Sequence, residues 1–273
     1  MNEDPTRIPG VTDGVKTIRP SSVADAPPVL RGAGATHQGK VRKYNEDAKL
    51  RRDEAGIWMI ADGVGGATNG DWASAQVVDV LTHMPVAERA PDFLADAVER
   101  LYEANERMLA RSRAEGGMTA TTVVLLLVHG WHFTCIWAGD SRGYLLREGT
   151  LRQLTHDHSE VQALLDAGTL TPEEAERYPR SNVITRALGI AADVEFDRVA
   201  DRLLPGDVFL ICTDGLTKML GDARIAAMLK EHDIDHVADA LVEAALDAGG
   251  LDNVTVVAVR CEAAAGPVEG VDG

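Results

Sequence analysis

The chain has 273 residues, 45% of them hydrophobic and 26% charged, and a formal net charge of −16. That length and apolar content are enough for one substantial core, so one mixed domain is expected. The acidic balance argues against nucleic acid or an anionic membrane as a general partner, because either needs a basic surface to offset its phosphates.

Residues 1–30 mix Pro5, Pro9, Pro20, Pro27 and Pro28 with small and polar residues and show no hydrophobic period. A flexible N-terminal extension is expected there, ahead of a domain over 31–261. Apolar runs rich in β-branched and aromatic residues predict strands over 57–61, 121–128, 133–138, 143–147, 208–212 and 254–259. Gly130 and Gly149 lie beside these runs, where short antiparallel connections need them. Helices are predicted over 73–84, over 91–109, and over 234–246 before Gly249 and Gly250, the last two each with one apolar stripe. Residues 262–273, rich in alanine and glycine, read as a flexible tail. No linker or repeat divides the middle of the chain, and helices at both ends of a block of antiparallel strands indicate an α+β layered architecture. Cys135, Cys212 and Cys261 are far apart in apolar segments, which fits core thiols in a reducing compartment better than a disulfide framework or a zinc site. With no apolar run of bilayer-spanning length and no signal-like segment, a cytoplasmic location is the expectation.

The acids at the strand ends carry the chemistry. The run at 57–61 leads into Asp62-Gly63, the run at 133–138 into Gly139-Asp140, and the run at 208–212 into Thr213-Asp214-Gly215; Asp252-Asn253 precedes the run at Val254. One Asp-Gly is ordinarily a turn. Four aspartates on converging strand ends would repel one another and be costly to desolvate, and a cation is the simplest compensation. Oxygen-only ligands select Mg²⁺ or Mn²⁺ over Zn²⁺. His156 and His158, in a polar stretch, are read as surface or loop residues and not as ligands. Upstream, Arg42-Lys43-Tyr44-Asn45-Glu46-Asp47 is ordinarily a surface charge run, but beside a metal cluster the planar fork of Arg42 suits two oxygens of a phosphoryl group.

Arg42 through Asp47, Asp62-Gly63 with Val64-Gly65-Gly66, Thr121-Thr122, Gly139-Asp140-Ser141-Arg142, Thr213-Asp214-Gly215 and Asp252-Asn253 occur in an order that resembles the PPM, or type 2C, protein phosphatases. Each motif is weak alone; six in order over residues 36–259 are a strong signal. The resemblance implies an α/β/β/α sandwich of two antiparallel sheets. It also implies hydrolysis of phosphoserine and phosphothreonine in proteins by water activated by two or three Mn²⁺ or Mg²⁺ ions. By the same resemblance Asp62 bridges two cations, the Gly63 carbonyl completes one shell, Asp214 and Asp252 fill the other, and Asp140 with Asp214 holds a third. Asp62 and Asp214 are thereby the central catalytic acids, and Arg42 grips the phosphate. Glu46 and Asp47 position bound waters or ligate directly, with Asn253 behind the ligands. Residues 158–188 resemble a mobile flap of bacterial relatives, with a plain surface helical hairpin as the alternative. The segment from Asp157 to Leu188 also resembles phosphatases associated with type VI secretion. Implied partners are Ser/Thr-phosphorylated proteins and a cognate kinase. Two departures stand out: Val64 replaces a histidine that some eukaryotic members place after the Asp-Gly, and Ala120 stands where glycine is frequent.

Two other readings have to be weighed. Gly63-Val64-Gly65-Gly66 could be a nucleotide loop, but it lacks GK[ST], does not fit GxGxxG, and Asp62 would repel a pyrophosphate. A catalytically silent phosphoprotein-binding regulator would be expected to have lost ligands, and every acidic position of the resembled family is filled here.

Overall fold

The structure, a computed structural model, describes residues 27–64, 69–175, 177–180 and 182–262. In chain order it contains β1 (Val29–His37), β2 (Asp47–Arg52), β3 (Ile57–Val64), α1 (Gly70–Thr82), α2 (Ala90–Glu115), β4 (Ala120–Thr121), β5 (Val123–His129) and β6 (His132–Ala138). There follow β7 (Arg142–Arg147), β8 (Thr150–Gln153), α3 (Glu160–Asp166), α4 (Pro172–Ala175), β9 (Asp197–Arg202) and β10 (Val208–Cys212). The chain then forms α5 (Asp214–Thr217), α6 (Asp222–Glu231), α7 (Ile234–Asp247) and β11 (Val254–Glu262).

One sheet has the order β1-β11-β10-β7-β8; the other has β2-β3-β5-β6-β9, with β4 paired to β3. All pairings are antiparallel. The apolar runs are continuous because both faces of these strands are buried, and successive side chains point to opposite faces. Ile57, Met59 and Ala61 of β3 pack with Ala73 and Val77 of α1 and Phe93 and Leu101 of α2. Trp58 and Ile60, between them in sequence, face the other sheet and join Phe209, Ile211, Val257 and Val259. Leu210, Val256 and Ala258 in turn face α6 and α7 through Ile225, Val237 and Leu241. Three apolar layers thus separate helix, sheet, sheet and helix, which is the expected four-layer sandwich.

The turns follow the sequence signals. Glu148-Gly149 links β7 to β8 with φ of +50° and +78°, the paired positive angles of a type I′ hairpin, and Gly149 takes the second without a Cβ clash. Glu148 bears the one positive φ of a non-glycine residue among the described residues.

Several boundaries differ from expectation. Residues 1–26 and 263–273 of the predicted extensions lie outside the described residues, but Val29 and Leu30 already belong to β1 and pair with Glu262 and Cys261 of β11. Nonlocal pairing with the last strand fixes these two residues, which local composition placed in the extension. The predicted strand over 121–128 is divided at Thr122, where the backbone switches from β4, opposite Gly63 and Val64, to β5, opposite 57–60. Strands β2 and β9 were not foreseen: their sequences DAKLRR and DRVADR are charged, which suits edge positions in the sheet.

Candidate metal centre

The central acid is not at a strand end. β3 continues through Asp62 to Val64, and Asp62 lies directly opposite Asp47 of β2. Threonines of the β4–β5 junction hold its backbone: the Asp62 amide donates to Thr122 Oγ1 (3.1 Å), while its carbonyl accepts from the Thr122 amide (2.9 Å) and Thr121 Oγ1 (2.9 Å). Gly63 is required by close approach, since a Cβ there would lie 2.1 Å from the Gly70 carbonyl oxygen at the start of α1 and 2.7 Å from that of Glu46.

The second sheet supplies the facing acids. After β10, Thr213 Oγ1 accepts from the Thr255 amide (3.0 Å) and donates to Asp47 Oδ2 (2.9 Å), which ties the two sheets together at the site. Asp214 opens α5, and a Cβ on Gly215 would lie 1.8 Å from the Asn253 carbonyl oxygen, so only glycine lets α5 sit against the entry to β11. Asn253 is buried and fully employed: its amide group donates to the carbonyls of Gln38 and Tyr44 (2.8 Å each), and its Oδ1 accepts from the Glu46 amide (2.9 Å). It therefore pins the Arg42–Asp47 segment beside Asp252, consistent with a supporting position.

Charge is concentrated where it is hardest to solvate. Burial, reinforced by Asp47, Asp214, Asp140 and Asp252, raises the Asp62 carboxyl far above its usual range. Burial pushes Asp47 up to about 7 despite hydroxyl bonds from Thr255 and Thr213 that favour its ionised form. Asp140 is pushed to about 7 by burial and then by Asp214, with Lys218 opposing the rise. Glu46 is also raised, by burial first. Asp140 follows β6 and is buried; Ser141 beside it shares a 2.8 Å hydroxyl contact with Thr122.

Two cations face this group. Arg42 Nη2 donates to Asp252 Oδ2 at 2.8 Å, and half of the Arg42 side chain remains exposed. Lys218, one turn beyond Asp214, pairs with its Oδ2. Lys218 was missed in the sequence, although Asp at i and Lys at i+4 is a helical ion-pair signal. Arg142, in contrast, is structural: it clasps Asp157 with its Nε at 3.0 and 2.9 Å and Nη2 at 2.7 Å.

Among the described residues, five buried side-chain polar atoms have no hydrogen-bond partner, and four of them are carboxylate oxygens of this group: Glu46 Oε1, Asp47 Oδ1, Asp140 Oδ1 and Asp214 Oδ1. Buried acceptors without donors are costly, and an oxygen-only set of this kind is the donor chemistry of a hard divalent cation. Among the described residues no three His, Cys, Asp or Glu side chains close into a finished coordination group. A cation here would complete its shell with backbone oxygen and water, as Mg²⁺ commonly does. The acids thus fit such an ion.

The two histidines separate. His156 is exposed and meets Asp166, as expected, but His158 is a buried loop residue, 8% exposed, contrary to a surface reading. Its Nδ1 accepts from the Gly139 amide (3.2 Å) and its ring stacks on Trp137, contacts made between distant segments that local polarity could not reveal. Neither histidine joins the acids. Gly65 and Gly66 of the alternative nucleotide loop lie outside the described residues. Ala120 is buried in β4 opposite Val64.

The segment over 158–188 forms α3 and α4, neither with a buried residue. Thr171 and Glu174 cap α4 reciprocally, the Thr171 amide donating to the carboxylate (2.9 Å) and the Glu174 amide to the hydroxyl (3.3 Å). Between this segment and α5 lies a cleft of about 710 Å³ whose walls include Asp140, Asp214 and Lys218.

Comparison with known proteins points the same way. The sequence profile of a family described as protein phosphatase 2C matches residues 31–248. The chain is 38% identical to the serine/threonine protein phosphatase PstP of Mycobacterium tuberculosis over 231 residues, which are 84% of this chain and 44% of PstP. It thus spans less than half the length of that relative. Among solved structures it is similar to PppA, described as a key regulatory component of T6SS in Pseudomonas aeruginosa, with TM-score 0.80 and 40% identity over 86% of this chain and 99% of the other. It is also similar to the catalytic domain of PstP in complex with two manganese ions, with TM-score 0.78 and 36% identity over 86% and 99% of the two chains.

Proposed function

Because the chain belongs to the protein phosphatase 2C family, we propose that it is a divalent-cation-dependent phosphatase of phosphoserine and phosphothreonine in proteins, opposing a Ser/Thr kinase. The observation that carries this reading is the set of four unpartnered, buried carboxylate oxygens in one group beside the exposed fork of Arg42. Asp62, Asp214, Asp252 and the Gly63 carbonyl would hold two Mn²⁺ or Mg²⁺ ions, with Glu46 and Asp47 beside them and Asp140 with Asp214 at a weaker position. Such a pair of ions supplies Lewis acidity to a phosphoryl group and lowers the pKa of water towards neutrality.

The chain's own residues do the rest. Arg42, tethered by Asp252, presents its remaining N–H donors to the phosphoryl oxygens and fixes the ester in one orientation. The Asp62 backbone is held by three hydrogen bonds, one donated to the Thr122 hydroxyl and two accepted from the Thr122 amide and the Thr121 hydroxyl, which fixes the position from which its carboxylate projects. Val64 stands where some eukaryotic members of the family place a histidine, so the proton for the leaving alkoxide comes from water or from another group. The similarity to PppA, described as a regulatory component, supports a regulatory role for the dephosphorylation.

Hydrolysis of p-nitrophenyl phosphate and of a phosphothreonine peptide, with Mn²⁺, Mg²⁺ or EDTA, tests the reading. Turnover should require the cation and fall by at least about a thousandfold in Asp62→Asn, in line with loss of a preorganised electrostatic group. A folded protein that binds Mn²⁺ but turns over neither compound would favour the silent phosphoprotein-binding regulator instead.

A further inference from the structure

Lys218 is used by no step above, yet its ammonium is placed among the acids. It pairs with Asp214 Oδ2 on one side. On the other it donates to Asn182 Oδ1 at 2.7 Å, in the segment that follows α4. The side chain is about one third exposed, and Asp140 as well as Asp214 stands near enough to hold it in its charged form. Asp140 Oδ1 and Asp214 Oδ1, both buried, point to no donor at all. One flexible side chain therefore connects the weaker cation position to the segment over 158–188. Its two ends are anchored by the buried His158, Ser159, Ala187 and Leu188, but α3 and α4 between them bury no side chain, so few apolar contacts oppose displacement of that middle part.

We propose that Lys218 is a positioning residue that acts as a resident cation at the Asp140–Asp214 position and latches the 158–188 segment through Asn182, so that a divalent ion binding there displaces the ammonium and releases the segment. This rests on the cation-dependent reading above. The physical reason is competition: an ammonium and a divalent ion cannot share Asp214 at contact distance without strong repulsion. Because the latch holds only while Lys218 is on Asp214, segment docking and ion binding oppose each other, and the coupling is reciprocal. Asn182 contributes a neutral acceptor, and it loses its donor when Lys218 leaves.

The test compares wild type, Lys218→Met and Lys218→Arg by Mn²⁺ calorimetry and by amide hydrogen exchange of the peptides covering 169–183. In wild type, filling the weakest Mn²⁺ site should speed exchange in those peptides by about tenfold, a typical size for coupling between sites. In Lys218→Met the weakest site should tighten by about tenfold, and exchange should already be fast without Mn²⁺ and no longer respond to it. Lys218→Arg, which keeps the charge, should stay close to wild type. If Lys218→Met binds every Mn²⁺ with wild-type affinity, or its exchange matches wild type with and without Mn²⁺, the latch is wrong while the phosphatase reading stands. If wild type binds no Mn²⁺, both fall.

Discussion

Asp62 shows how one residue's chemistry is set by its neighbours. Its side chain is ordinary in sequence, but Asp47 opposite it in the sheet and Asp214 and Asp140 across the gap make its ionised form expensive. The threonines are what make the arrangement tolerable: Thr213 is buried and links Asp47 to the Thr255 amide, so each of its polar functions is used. Arg42 is different, because half of its side chain is open and its one described partner is Asp252. Arg42→Ala should therefore leave stability nearly unchanged and raise KM for a phosphopeptide by about tenfold, the loss of a charge-assisted contact. Steady-state kinetics beside a thermal melt check this; an unchanged KM would reduce Arg42 to surface charge.

At the scale of elements, two connections decide whether the site is assembled. The first is α5, which reaches β11 only because Gly215 has no side chain to meet the Asn253 carbonyl. The second is the clasp between Arg142, opening β7, and Asp157, in the loop entering α3. Asp157 is 9% exposed and Arg142 29%, so truncating Asp157 leaves a partly buried guanidinium without its counter-ion. Asp157→Ala should cost about 3 kcal/mol, as for other broken buried pairs, read as a lowered urea midpoint with an unchanged slope. The pair also orients the start of the 158–188 segment, so its loss should be felt on that wall of the cleft before it is felt at Asp62.

Across the whole molecule, antiparallel sheets with both faces covered give three apolar layers and leave the polar chemistry at the edge where the sheets meet. Global stability carries a pH signature through His158, which faces Asp197 at 3.2 Å, Arg186 at 3.2 Å, Trp137 and, at longer range, His156. Burial, aided by Arg186 and His156, depresses its pKa against the pull of Asp197. A histidine lowered on folding contributes stability that is complete above its unfolded pKa near 6.5 and is lost as pH falls through the lower folded value. Wild type should thus lose more stability between pH 7.5 and 5 than His158→Gln, measured by urea unfolding at both pH values; parallel losses would mean that His158 does not titrate in this window. The order of the motifs, the apolar strands, the long helices α2 and α7 and the identity of the acids were legible in the sequence, because periodicity and composition are local properties. Charged edge strands such as β2 and β9, the pairing of Val29 with Glu262, the burial of His158 and the bridge from Asp214 through Lys218 to Asn182 were not. Each of these depends on which distant segments meet, and burial, unlike periodicity, is decided only when the sheets have closed on each other: the sequence by itself determined which acids were present, and the tertiary structure decided that they share one poorly solvated place.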